Sequence, residues 1–249
     1  METNLTCTIS EKQWQIYYNF SWWMDGILSL CISIAGGIFN SMTIYILCHN
    51  KMIPSFFNRL LICLAVVDTL FLGNAISDAF INQFGSNVYH QTLFVKVLYP
   101  ARSMLMFCSI YITVSLSFER YKAISNPFLH RRRQNDKLSA RLLLYILPVI
   151  SFSLTYYIPK FFELQILENE SPCESKFQNS TMNISCTPEF YVAPTAMRRN
   201  YSYILWYINV SNLVVTCIIP FSLLVYLNFR IWILLTWRFL YLAIAKFWR

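Results

Sequence analysis

The sequence predicts an all-α membrane protein with five transmembrane helices and its N-terminus outside. Three observations carry that prediction. The first is composition. Of 249 residues, 56% are hydrophobic and 17% aromatic, and only 13% are charged, with a mean hydropathy of +0.44. A soluble domain carries about 25% charged residues. Five glycines and nine prolines are too few for the many turns of a large β-barrel. The second is that five stretches supply the ~20 apolar residues that cross a bilayer as helix. The third is an unequal division of Lys and Arg between alternate loops.

The elements follow in order. Residues 1–21 form an extracellular N-terminus. The first span, 22–48, starts too late for a signal peptide, has no basic segment before it and is too long for a signal h-region. The second span is 57–80, the third 93–121 and the fourth 139–160. An outer loop covers 161–201 and the fifth span is 202–231. In the last segment, 232–249, reading "WILLTWRFLYLAIAKFWR", cations recur every eight residues with Arg230, Arg238 and Lys246. At 100° per residue they lie within about 160° of one another, with Arg249 between them. This pattern reads as an amphipathic helix at the inner membrane surface. A fifth helix that runs on and a non-native tail are the alternatives.

Orientation follows from loop charge. With the N-terminus outside, the inner segments carry twelve Lys and Arg: Lys51, Arg59, Lys122, Arg131, Arg132, Arg133, Lys137, Arg141, Arg230, Arg238, Lys246 and Arg249. The outer segments carry six. The outer loop is instead acidic, with Glu163, Glu168, Glu170, Glu174 and Glu189. The net charge of +8 is therefore an orientation signal, and nucleic-acid binding is not supported because the cations flank membrane spans. The run "HRRRQNDK" also suits anionic lipid headgroups. Glycosylation sequons at Asn4, Asn179 and Asn183 all fall outside, whereas those at Asn19 and Asn200 lie too close to the membrane.

A charge at mid-membrane costs about 2.5–3.5 kcal/mol on insertion scales, which makes it a functional candidate by default. Asp68 sits in "CLAVVDTLF" and its short side chain cannot reach an interface. Asn40, in "GGIFNSMTI", is equally deep. Both need partners in a dry interior, and together they form a candidate interior polar site. Glu119 and Arg120 stand side by side where the third apolar run ends.

Asn40 in the first span, "LAVVD" ending at Asp68 in the second, "ERY" at 119–121 in the third and Pro220 in the fifth form an ordered set. The set resembles the rhodopsin-like G-protein-coupled receptors, and the likeness covers about residues 20–231. Within that superfamily, "SIYITVSLSFERYKAISNPF", "YYIPKFFE", "RRNYSYILWY" and "IIPFSLLVYLNFRI" look like FMRFamide-type neuropeptide receptors. The resemblance implies part of a seven-helix bundle in the plasma membrane, or one retained in the endoplasmic reticulum. It also implies a peptide ligand at the outer end and a heterotrimeric G protein at the inner end. Glu119, Arg120 and Tyr121 would be the G-protein switch, with Arg120 held by its acidic neighbour at rest. Arg102 lies five turns above Arg120, at a position that faces the ligand in the family. There it would favour an acidic ligand group, or else form an internal ion pair with Asp78. Met106, one turn deeper, would line the same pocket.

Departures from the family pattern matter as much. Residues 91–100 contain no cysteine, so the family's staple between the outer loop and the third helix cannot form. Cys173 and Cys186 would pair with each other, or one with Cys7. Cys31, Cys48, Cys63, Cys108 and Cys217 read as small packing residues. The fourth span lacks the family's tryptophan. The resemblance stops at Ile231, short of helices six and seven, which favours the non-native tail and implies a form that does not signal alone. The alternative is a non-signalling isoform that pairs with full-length receptors, as a receptor dimer, and modulates them. An enzyme is not expected: no nucleophile–base pair, metal-ligand cluster or phosphate loop stands out, and no cofactor is implied. His49, His90 and His130 lie apart, near membrane edges.

Overall fold

In the computed structural model, residues 11–49, 56–84, 88–128, 138–169, 174–178, 181–185 and 189–247 are described. Among them, five helices are long and apolar enough to cross a membrane: Lys12–His49, Phe56–Phe80, Val88–Ser125, Arg141–Phe162 and Tyr201–Leu240. These match the five expected spans. The surface they present is apolar, as lipid requires: Phe39, Leu144 and Phe221 stand well over half exposed. Outer and inner ends are named below as loop charge assigns them.

Three helices exceed their expected lengths, the third, Val88–Ser125, at both ends. The first begins at Glu11, continues through a π-helical stretch at Trp22–Leu28 and ends at His49. Residues 11–21, expected as part of the extracellular N-terminus, are thus helical and continuous with the span. At 1.5 Å per residue the 38 residues of Lys12–His49 reach about 57 Å, against ~30 Å of hydrocarbon. The helix is thus longer than the hydrocarbon by several turns, and its N-terminal turns carry Trp14, Tyr17 and Tyr18. The fifth helix likewise has no break at 231; its last segment is Ile219–Phe247. Along this continuation Trp232, Trp237 and Arg238 are exposed.

The helices pack in sequence, first on second, second on third, and third on both fourth and fifth. Small residues set the closest approach. A Cβ at Gly36 would lie 2.8 Å from Leu72 Cδ1, so any larger residue there would make the Leu72 side chain shift. Between the third and fourth helices lies an aromatic layer. Phe107, 1% exposed, stacks on Tyr111 at 4.3 Å and on Phe152 at 5.4 Å between centroids, and meets the edge of Tyr157 at 6.0 Å. Phe152, Tyr156 and Tyr157 thus fill the fourth-helix interface that lacks tryptophan.

The outer loop folds into two antiparallel hairpins, which the sequence reading left without structure. Strand β1 (Leu164–Asn169) pairs with β4 (Glu189–Pro194), with Ile166 opposite Val192. Strand β2 (Glu174–Gln178) pairs with β3 (Thr181–Ser185). Gln91, at the outer end of the third helix, donates from Nε2 to the Phe190 carbonyl at 2.8 Å.

Candidate functional site

The third helix carries the polar groups of the bundle along its length, and its inner end is the most organised. Successive residues on a helix point about 100° apart, so Glu119, Arg120 and Tyr121 face three different neighbours. Glu119, 2% exposed, turns to the fourth helix. There it accepts from Arg141 Nη2 at 2.7 Å and from the Tyr145 hydroxyl. Lys122 Nζ stands 4.0 Å from the same carboxylate and donates to the Tyr145 oxygen at 2.7 Å. Arg120 is exposed and lies over the Phe57 ring of the second helix, 4.8 Å from its centroid. Tyr121 faces Arg230 of the fifth helix.

This corrects the expectation that Glu119 holds Arg120. Adjacent side chains on a helix diverge, and a better-placed cation, Arg141, reaches the carboxylate. An apolar shell of Phe56, Leu60 and Leu116, with Leu142 and Ile146 beside it, surrounds the cluster. Arg141 also lies over the Phe56 ring at 4.4 Å. The low local dielectric strengthens the ion pair and makes either partner costly to leave alone.

Halfway along the helix, Ser109 donates to Asp68 Oδ1 at 2.5 Å. Asn40 is half-buried on the first helix, and among the described residues no hydrogen bond joins it to Asp68. The interior polar pair is therefore Asp68–Ser109, a partner that sequence reading missed. It lies 41 positions away, on another helix.

Pro220 is buried and follows a π-helical stretch, Val214–Ile218. In the π register the Val215 carbonyl looks to the amide five residues on, which is Pro220, and proline has no N–H. The Tyr111 hydroxyl supplies the missing donor, 2.8 Å from the Val215 oxygen. Removing it with Tyr111→Phe strands a carbonyl in a dry interior. The expected loss is about 1–2 kcal/mol, read as a lower thermal midpoint in detergent. In a Pro220→Ala background, where an N–H is restored, the loss should shrink.

At the outer end, Arg102 Nη1 meets Asp78 Oδ2 at 2.7 Å, so the ion-pair alternative is the one formed. The pair sits at the wall of a cavity of about 370 Å³, within the size range of ligand sites. Its other wall is the extended first helix, with Trp14, Tyr17, Tyr18 and Trp22. Met106 does not line it and is 38% exposed. Three of these four aromatics, Trp14, Tyr17 and Tyr18, were missed because residues 1–21 were read as an extracellular terminus outside the first span.

Beyond the spans, Glu163 is fully buried. It accepts from Tyr99, Arg198 and Tyr203, the last at 2.9 Å, and from Lys160 at 3.3 Å. Burial pushes this carboxyl up. The hydrogen bond from Tyr99, the Lys160 charge, the Tyr203 bond and the Arg198 charge together outweigh it and hold the group below its ordinary value.

The sequence pattern of the 7 transmembrane receptor (rhodopsin family) matches residues 39–239. The chain belongs to that family. A rhodopsin-family chain is a receptor of the membrane, not an enzyme. The match runs to 239, which corrects the reading that the family likeness ends at Ile231, and it agrees with the unbroken fifth helix. The chain is 28% identical over 214 residues to the FMRFamide receptor of Drosophila melanogaster, covering 83% of this chain and 36% of that one. It is 27% identical over 151 residues to an FMRFamide peptide receptor of Caenorhabditis elegans, covering 57% and 34%. The chain thus spans about a third of the length of the curated relatives it matches.

The remaining site expectations divide in two. Cys7, Cys173, Cys186, Asn4 and Asn179 lie outside the described residues; Asn183 lies in β3. Of the cysteines near the spans, Cys108 is buried and Cys63 half-buried, but Cys31, Cys48 and Cys217 are exposed. Those three face away from the bundle, so they do not pack within it as expected.

Proposed function

We propose that this rhodopsin-family receptor binds an FMRFamide-like neuropeptide in the outer cavity and presents the inner end of its third helix to a G protein. The observation that supports this is that one helix carries both ends. Arg102 lines the outer cavity, and Glu119, Arg120 and Tyr121 lie about 27 Å further along, at 1.5 Å per residue. The names of two relatives give the ligand class. Aromatic walls suit the side chains of such a peptide, and the Arg102–Asp78 pair offers a donor fork and a carboxylate to its polar groups.

On this reading the N-terminus is outside, the membrane is the plasma membrane, and Asn4, Asn179 and Asn183 are glycosylated. Arg120, exposed and lying over the Phe57 ring, is the inner group offered to the G protein. The test is saturable binding of FMRFamide to the full chain in nanodiscs. Asp78→Ala and Arg102→Ala should each weaken binding at least about tenfold, the loss expected when one partner of a hydrogen-bonded charge pair is removed. Absence of saturable binding would overturn the reading. Binding without any nucleotide exchange on added G protein would support the second role, in which the chain pairs with other receptors.

A further inference from the structure

We propose that Glu163 is a latch: its carboxylate clamps the β1–β4 hairpin onto the outer ends of the third, fourth and fifth helices, and removing its charge releases the hairpin while the helices stay in place. The inference is independent of any ligand.

The argument starts from what cannot hold this hairpin. Residues 88–107, the outer half of the third helix, contain no cysteine, so no disulfide can tie the loop to it. Noncovalent contacts join the hairpin to that helix: Gln91 bonds the Phe190 carbonyl of β4 at 2.8 Å, and Glu163 stands at the neck. It directly follows the 3₁₀ turn Ile158–Phe162 that ends the fourth helix, and it directly precedes β1. Its backbone carbonyl accepts from the Thr195 amide at 2.9 Å and the Thr195 hydroxyl at 3.1 Å. Thr195 directly follows β4, so these bonds close the neck.

The side chain then fixes that neck to three helices. Oε2 accepts from Tyr99 on the third helix, from Lys160 at the end of the fourth and from Arg198 just after the hairpin. Oε1 accepts from Tyr203 at the start of the fifth. A fully buried carboxylate with two cations and two hydroxyls has its acceptor sites filled.

The charge, and not the shape alone, is what the node depends on. Lys160 Nζ and Arg198 Cζ both lie against the Tyr99 ring, 5.1 Å and 5.6 Å from its centroid. With the carboxylate present, one negative charge sits between them. Without it, two cations share one ring and repel each other, and the cheapest relief is for Arg198 to leave. Arg198 is 34% exposed against 12% for Lys160, and it sits on the hairpin side. The hairpin would leave with it.

The experiment is amide hydrogen exchange of the full chain in lipid nanodiscs, without ligand, comparing the native chain with Glu163→Gln. That change keeps shape and removes charge. Exchange across 164–169 and 189–199 should speed up at least about tenfold, the scale of breaking a buried pair. Exchange at 116–125 and 138–146, around the Glu119 cluster, should stay within about twofold of native. Unchanged exchange in the hairpin would overturn the proposal, as would a uniform rise across all five helices. If Glu163→Gln yields no folded protein, Tyr203→Phe carries the test. It removes one donor and no charge, and should raise hairpin exchange by roughly threefold; no rise there would overturn the latch. Peptide binding plays no part in these readouts, so failure of the latch leaves the ligand reading standing.

Discussion

Glu119→Ala is expected to lower stability by about 3 kcal/mol, the low end of the cost of breaking a buried ion pair by removing one partner. For a chain of this size that is a fall in thermal midpoint of roughly 6–12 °C. The cost arises because Arg141, 14% exposed, loses its carboxylate and Tyr145 loses its acceptor. Arg141→Ala should cost as much or more, since it leaves a carboxylate 2% exposed without its best partner. Arg120→Ala should cost less than about 1 kcal/mol, because an exposed guanidinium over one ring contributes little.

A double-mutant cycle separates the two possible partners. Glu119 and Arg141 should show an interaction energy of about 2 kcal/mol, and Glu119 and Arg120 close to none. The opposite result would mean that the acidic neighbour holds Arg120 after all. The consequence for the receptor is direct. If Glu119 belongs to the fourth helix, neutralising it loosens the third-to-fourth helix contact and does not free Arg120, which lies over Phe57 instead. Thermal unfolding in detergent reads the first effect, and nucleotide exchange on added G protein reads the second.

Why the sequence showed some of this and hid the rest has a physical answer. The spans were legible because a bilayer imposes a fixed length and a single polarity on every crossing helix. The Arg102–Asp78 pair was legible for a related reason: a charge within an apolar span favours a nearby counter-charge, and Asp78 lies on the outer part of the neighbouring span. The partner of Glu119 was not legible. Sequence adjacency to Arg120 suggested one pairing, whereas the choice of Arg141 depends on how the fourth helix is rotated about its axis, which packing decides. Tyr111 was hidden likewise, because its role exists only once the turns before Pro220 take the π register. The aromatic wall of the outer cavity was missed where composition misled. Trp14, Tyr17 and Tyr18 precede the most apolar run, and nothing in "EKQWQIYYNFS" marks a helix continuous with the span. The Glu163 node was the hardest, because its five members are spread over 105 positions, from Tyr99 to Tyr203.

Phe107→Ala is expected to cost about 3 kcal/mol, for a reason particular to this chain. Moving a phenyl group from lipid to a bundle interior gains little transfer energy, since both are apolar. What the native side chain contributes is contact: its ring meets Tyr111, Phe152 and Tyr157 at once, and truncation leaves a void lined by three rings that cannot all close on it. That places the loss at the low end of the 3–5 kcal/mol seen for large-to-small core changes. Phe107→Leu keeps most of the volume and should cost less than about 1.5 kcal/mol. The fourth helix has no tryptophan, so the layer of Phe107, Phe152 and Tyr157 is what seats it against the third. The same helix carries Arg141 at its inner end and Lys160 at its outer end. Phe107→Ala should therefore raise amide exchange around both Glu119 and Glu163, whereas Phe107→Leu should leave both unchanged. If the alanine change destabilises the chain yet leaves exchange at both ends as in the native protein, the aromatic layer fills space without setting the position of the fourth helix.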